Sequence, residues 1–134
     1  MALLTGGCHC GALRYQLDAP LDDCAHCHCS DCRKTSGGIV TTWLTVPAHS
    51  FTWLTGAPAC YQSSPSCTRH FCAQCGCLIS LATGKAPEAL DVTVASLDEP
   101  EQAPAHRHVW ASSHLNWLYL DPQLPAEAQE NGVN

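Results

Sequence analysis

Seven of the chain's eleven cysteines fall into three tight groups, and that grouping limits the possible folds more than any other feature. The groups are Cys8-x-Cys10 in "GGCHCGALRY", Cys27-x-Cys29-x2-Cys32 in "CHCSDCRKTSGG", and Cys72-x2-Cys75 with Gly76 behind it in "RHFCAQCGCL". Eleven is an odd number, so no arrangement within one chain pairs every cysteine as a disulfide. In a reducing compartment, clustered cysteines bind metal more often than they bridge. The isolated Cys60, Cys67 and Cys77 read as small buried hydrophobes.

Cys72-x2-Cys75 has the spacing of a zinc knuckle, because two thiolates one turn apart meet a tetrahedral ion. Gly76 lets the backbone take a positive φ and aim amides at the sulfurs. Cys8 and Cys10, two apart at the head of a strand, share a face. The two pairs together make a closed site of four thiolates. Independent pairs, or a redox role for Cys72-x2-Cys75, remain open, although the βαβ context of a thioredoxin-like pair is absent. Cys27, Cys29 and Cys32 offer three thiols from one loop and a helix start. Three ligands from one segment leave a fourth position open, which separates catalytic from structural zinc. Cys24, His26 or His28 would instead close that site.

With 134 residues the chain is long enough for one domain with a real core. The expected division is a domain over 1–125 and a polar, frayed tail over 126–134. The net charge is −6, with six basic residues in all, so no cationic stripe exists to release phosphate counterions and nucleic acid is not an expected partner. "MALLTGG" lacks the positive start of a secretory leader, and no run has the apolar length of a membrane span. The expected location is the cytoplasm, with no membrane partner.

Short runs rich in β-branched and aromatic residues lie between frequent Gly and Pro signals. Strands are predicted at 12–17, 38–46, 50–55, 77–82, 90–97 and 107–112. The one helical stretch is 29–36, with Ser30 as cap and Asp31 near its positive end. Residues 98–105, "DEPEQAPA", read as a surface loop. Trp43, Trp53, Trp110 and Trp117 read as core and pocket walls.

Taken in order, "GGCHCGALRY", "CHCSDCRKTSGG", "FCAQCGCLIS", "VASLDEP" and "HVWASSHLNWLYLDPQLP" resemble the glutathione-dependent formaldehyde-activating enzymes and the related centromere-protein-V domains. The resemblance covers about Thr5 to Pro125. It implies a mainly β, Mss4-like fold, the β-tent, made of folded sheets clipped by zinc with at most short helical turns. It also implies that Cys8, Cys10, Cys72 and Cys75 hold a structural zinc, and that Cys27, Cys29 and Cys32 hold a second, catalytic one. His108 falls on the family's C-terminal His, where a structural hydrogen bond and a catalytic role are both open.

The activity implied is that of a carbon–sulfur lyase. A small thiol such as glutathione joins an aldehyde, formaldehyde, to form an S-hydroxymethyl adduct, or the adduct is cleaved. Three thiolates around a zinc ion leave a net charge near −1, which suits the recruitment of a soft fourth ligand. Arg33, Lys34 and Arg69 are candidates to meet substrate carboxylates, or are plain surface charges. Backbone amides of 36–38 are a further candidate contact. A non-catalytic zinc-stabilised binding module is the alternative, and a methionine-sulfoxide reductase built on Cys60, Cys67 or Cys77 is a third reading.

Overall fold

A computed structural model describes residues 2–130, and these form two sheets folded against each other. The strands are β1 (Ala2–Gly7), β2 (Arg14–Ala19), β3 (Cys24–Cys27), β4 (Thr41–Pro47), β5 (Phe51–Thr55), β6 (Ala59–Ser64), β7 (Cys67–Phe71), β8 (Leu78–Thr83), β9 (Ala89–Thr93) and β10 (Arg107–Val109). Among the described residues the single α-helix, α1, is Ser30–Ser36, and short 3-10 turns punctuate the loops. One sheet is β1-β2-β5 and the other is β10-β3-β4-β9-β8-β7-β6. Only the β10–β3 pairing is parallel; the other strand pairings are antiparallel. The mainly β architecture expected from the resemblance is therefore present. Among the described residues no helix is long and apolar enough to cross a membrane.

β2 shows why alternation was readable. Tyr15, Leu17 and Ala19 are buried, while Arg14, Gln16 and Asp18 point outward. β4 breaks that rule because both its faces are covered. Leu44 and Val46 join the main core with Leu4, Leu17, Ile79 and Val92, whereas Trp43 packs on the other face with Ala25, Cys27, Cys32 and Val109. β3 lies beside β4 and divides the same way: Cys24 faces the main core, Ala25 and Cys27 the smaller cluster. The large sheet is thus a partition between two apolar environments.

Six predicted runs became strands, with β2, β4, β5 and β8 starting later and β9 and β10 ending earlier than expected. β1, β3, β6 and β7 were not foreseen. β6 and β7 mix polar and apolar residues, β3 is only four residues of ligand-like sequence, and β1 ends in Gly6-Gly7. Trp117, expected in the core or a pocket wall, is 66% exposed. Loop 98–105 includes a 3-10 turn at Pro100–Gln102.

Of the tail expected over 126–134, residues 131–134 lie outside the described residues, while 126–130 run along β10 and are not frayed. The His108 amide donates to the Pro125 carbonyl at 2.8 Å and the Glu127 amide to the His108 carbonyl at 2.9 Å. Arg107 adds ion pairs to Asp23 at 2.7 Å and to Glu127 at 2.9 Å.

Two of the contacts that join the small sheet to the rest generate tests. Tyr15 Oη lies 2.8 Å from Ser96 Oγ, directly over Gly6. A Cβ on Gly6 would stand 2.6 Å from the Ser96 carbonyl and would also meet the Tyr15 ring. Gly6→Ala is therefore expected to destabilise by about 1–3 kcal/mol, the usual effect of overpacking, read from urea unfolding. Arg14 grips Asp98 through both carboxylate oxygens, at 3.0 and 2.5 Å, and Thr5 Oγ1 donates to the same group at 2.7 Å. The Arg14 hydrogen bonds, then Thr5, hold the Asp98 carboxyl down at about 2. A depressed carboxyl stabilises the fold above its unfolded pKa of about 4, and that contribution is lost as the pH falls through about 2. Asp98→Asn should lower stability at neutral pH and narrow its gap from the parent as the pH drops across that window, read as paired unfolding curves at each pH.

Candidate metal centres and the adjoining cavity

The first sulfur cluster forms where the loop after β1 meets the loop between β7 and β8. The Sγ atoms of Cys8, Cys10, Cys72 and Cys75 all lie within 4.8 Å of one another. Cys8 and Cys72 are buried in the main core, and Cys10 and Cys75 face outward. Backbone amides aim at the sulfurs: Leu13 N–H donates to Cys8 Sγ at 3.2 Å and Cys75 N–H to Cys72 Sγ at 3.4 Å. Gly76 takes φ 81°, as the knuckle requires. Amides of Cys10 and Cys77 hold the Cys75 thiol down at about 6, so it ionises readily. Four convergent sulfurs with amide donors form a donor set able to hold a soft or borderline divalent ion.

The second cluster joins the end of β3 to the start of α1. Cys27 closes the strand, Cys29 caps the helix, and Cys32 lies in its first turn. The cap is Cys29 and not Ser30 as expected: with φ −68° and ψ 149°, its sulfur accepts the Cys32 amide at 3.2 Å. A thiolate can fill the role usually given to a hydroxyl, because it too accepts the orphan N–H at the positive helix end. Cys27 and Cys32 sulfurs are 3.5 Å apart, and all three sulfurs lie within 4.8 Å. The Cys27 and Cys32 thiols, and then the Cys32 amide, hold Cys29 down at about 3, while Cys29 and Cys32 push Cys27 up.

None of the three residues considered as a fourth ligand joins this set. Cys24 lies on the opposite face of the sheet, its thiol donating to the Ala103 carbonyl at 3.4 Å and pushed by burial to about 11. His26 Nδ1 meets Thr42 Oγ1 at 2.7 Å. His28 Nε2 meets His108 Nδ1 at 2.9 Å. Among the described residues the cluster therefore has three donors and no fourth. His108 sits beside His26 in the parallel β10–β3 register, and its ring also lies 5.1 Å from that of His28. It makes a buried hydrogen bond that fixes the residue between Cys27 and Cys29.

A cavity of about 490 Å³ opens on the three sulfurs. Its walls include Trp43, Trp110 and Arg69 near the cluster, with Thr45, Asp91 and Glu130 also lining it. Trp110 has φ 55°, the one non-glycine positive φ among the described residues. Arg69 is buried, with both terminal nitrogens on Cys32 Sγ at 3.7 and 3.8 Å, so it is neither a surface charge nor beside the Cys72 loop alone. Arg33 is no free cation: its Nη1 donates to the carbonyls of His28 at 2.6 Å and Ser113 at 2.7 Å. Lys34 is exposed and does not line the cavity, whereas Lys85 does. Ser36 and Gly38 line a different pocket, on the His26 side of the sheet. Of the thiols considered for sulfoxide reduction, Cys67 lines the cavity, Cys60 is exposed on β6, and Cys77 is half-buried. Lys85, Asp91 and Glu130 were missed because each is remote in sequence from every ligand motif; only the pairing of β9 with β4 brings Asp91 there, its carboxylate accepting from Thr45 Oγ1 at 2.6 Å. Burial raises Asp91 to about 6.

The profile of the family described as "Glutathione-dependent formaldehyde-activating enzyme" matches residues 3–113. A Halomonas elongata protein named "Putative glutathione-dependent formaldehyde-activating enzyme" is 29% identical over 129 residues, covering 89% of this chain and 82% of the relative. A crystal structure of a Rhodobacter sphaeroides protein superposes with a TM-score of 0.64 at 24% identity, covering 76% of this chain and 97% of that one, and so shares the fold.

The His28–His108 bond yields a test. His108→Ala leaves His28 Nε2 buried without its partner, and His28 Nδ1 already has none. The expected loss is about 1–3 kcal/mol in urea unfolding, the cost of stranding a buried polar group.

Proposed function

The chain belongs to the glutathione-dependent formaldehyde-activating enzyme family, and from that premise we propose that it is a zinc-dependent carbon–sulfur lyase. It adds a small thiol such as glutathione to formaldehyde, or cleaves the adduct. In the forward direction a C–S bond forms, the carbonyl π pair moves to oxygen, and that oxygen takes up a proton to give the S-hydroxymethyl product. The observation that carries the reading is the three-sulfur set, without a fourth protein donor among the described residues, in the wall of a cavity. Its size fits a small peptide thiol, since ligand pockets run from about 300 to 1,000 Å³.

Cys8, Cys10, Cys72 and Cys75 would hold a structural zinc, and Cys27, Cys29 and Cys32 a catalytic one. Held by Cys27, Cys29 and Cys32, a zinc ion would supply Lewis acidity and a position for a soft ligand, lowering the pKa of a thiol there. The chain's own residues do the rest. The Cys32 amide at the start of α1 donates to the Cys29 sulfur and favours its ionised form. Trp43 and Trp110 line the cavity with aromatic surface. Lys85, exposed and lining the cavity, is placed to attract a carboxylate on the thiol, which a chain of net charge −6 would otherwise repel. Eleven free thiols suit a reducing compartment, and the cytoplasm is the location we infer.

Two measurements test this reading. Metal analysis should give two zinc ions per chain; Cys29→Ser should lose one and keep the fold, and Cys75→Ser should damage folding itself, since binding energy at a structural zinc is folding energy. In a cobalt-substituted sample, glutathione should change the visible spectrum of the second site only. A spectrum indifferent to glutathione and to every small thiol tried would remove the lyase reading.

A further inference from the structure

We propose that Arg69 is the fixed counter-ion of the three-sulfur site, a positioning residue that acts through Cys32 to make the open position favour an anionic ligand over a neutral one. The proposal rests on the reading that Cys27, Cys29 and Cys32 hold a divalent ion.

Arg69 is 4% exposed. Its Nε donates to Ser63 Oγ at 2.9 Å, and Nη1 and Nη2 converge on Cys32 Sγ at 3.7 and 3.8 Å. Among the described residues its neighbours include no carboxylate at ion-pair distance. A buried cation is costly unless paired, so the sulfurs must serve as its compensating charge. The fork of a guanidinium sets two N–H groups on one sulfur, which a lysine cannot do.

Charge counting gives the consequence. Three thiolates and a divalent ion sum to −1, and Arg69 brings the site to zero. A thiolate entering the open position then leaves −1; without Arg69 it would leave −2. A neutral ligand adds no charge and gains nothing from the guanidinium. Of the other basic side chains near the site, Arg33 is tied to two carbonyls, Lys34 lies outside the cavity, and Lys85 lines the cavity from an exposed position, whereas Arg69 is buried against the Cys32 sulfur. Arg69 is delivered by β7, three residues before Cys72, so the strand that leads into the four-sulfur knuckle also places the charge beside the other cluster.

The test uses the full chain with cobalt(II) in both sites, in the parent, Arg69→Met and Arg69→Lys. The open position is titrated with 2-mercaptoethanol, which binds as thiolate and carries no carboxylate, and separately with imidazole, which is neutral. Arg69→Met should weaken 2-mercaptoethanol binding about 10- to 100-fold, the usual effect of removing a partner of a metal ligand, and leave imidazole within about twofold. The sulfur-to-cobalt charge-transfer band should move as Cys32 loses its two donors, and Arg69→Lys should fall between. Equal weakening of both ligands would mean that Arg69 only supports packing, and no weakening would mean that it does nothing; either overturns the proposal. Should Arg69→Met not fold, Arg69→Lys decides: an unmoved band and an unchanged ligand ratio overturn it. A parent chain that takes up a single cobalt removes the three-sulfur centre and this role together, which separates that failure from failure of the Arg69 role alone.

Discussion

The convergence of Cys8 and Cys10 with Cys72 and Cys75 is the contact on which the rest of the molecule depends. It ties the loop leaving the small sheet to the turn between β7 and β8 of the large one. Two of its four sulfurs are also members of the main core, so the cluster and the apolar packing are one body and not a clip added to a finished fold. Tyr15, Leu17, Leu44, Ile79 and Val92 fill the space between sheets whose separation this junction fixes. The conformation of Gly76 and the amide of Cys75 then bring the last two sulfurs into line at little backbone cost.

The second determinant is the pleat of β3. Side chains alternate across a strand, so Cys24 and Cys27 leave it on opposite faces even though their spacing resembles that of a metal-binding pair. Cys24 is absorbed by the main core, His26 goes to the Cys24 side, and only Cys27 meets Cys29 and Cys32. The openness of the three-sulfur cluster is thus a result of strand geometry. An x2 spacing brings sulfurs together in a turn, as at Cys72 and Cys75, and separates them in a strand.

That distinction explains how much was legible in advance. The two clusters were readable because thiols in turns and caps advertise themselves by spacing. β2, β5 and β8 were readable by composition and alternation, but β3 was hidden inside the ligand motif, and the edge strand β6 has too many polar residues to announce itself. Helix α1 was placed within a residue, yet its cap was assigned to the hydroxyl of Ser30, because propensity rules favour oxygen over sulfur there. Arg69 was ambiguous for a physical reason: a lone arginine in a polar strand reads as surface until the curl of the sheet is known. Lys85, Asp91 and Glu130 reach the cavity only through long-range strand pairing and the course of the C-terminal segment, neither of which leaves a local signal.

The C-terminal segment that runs beside β10 has a consequence for how this molecule meets others. β10 would otherwise end the large sheet with a row of unpaired amides and carbonyls, an invitation to any extended chain. Residues 125–128 occupy those groups, so that border is sealed by the protein itself. At the opposite border β6 carries Tyr61, Gln62 and Ser63 and, among the described residues, has no strand on its outer side, which makes growth of the sheet by a foreign strand a one-sided matter.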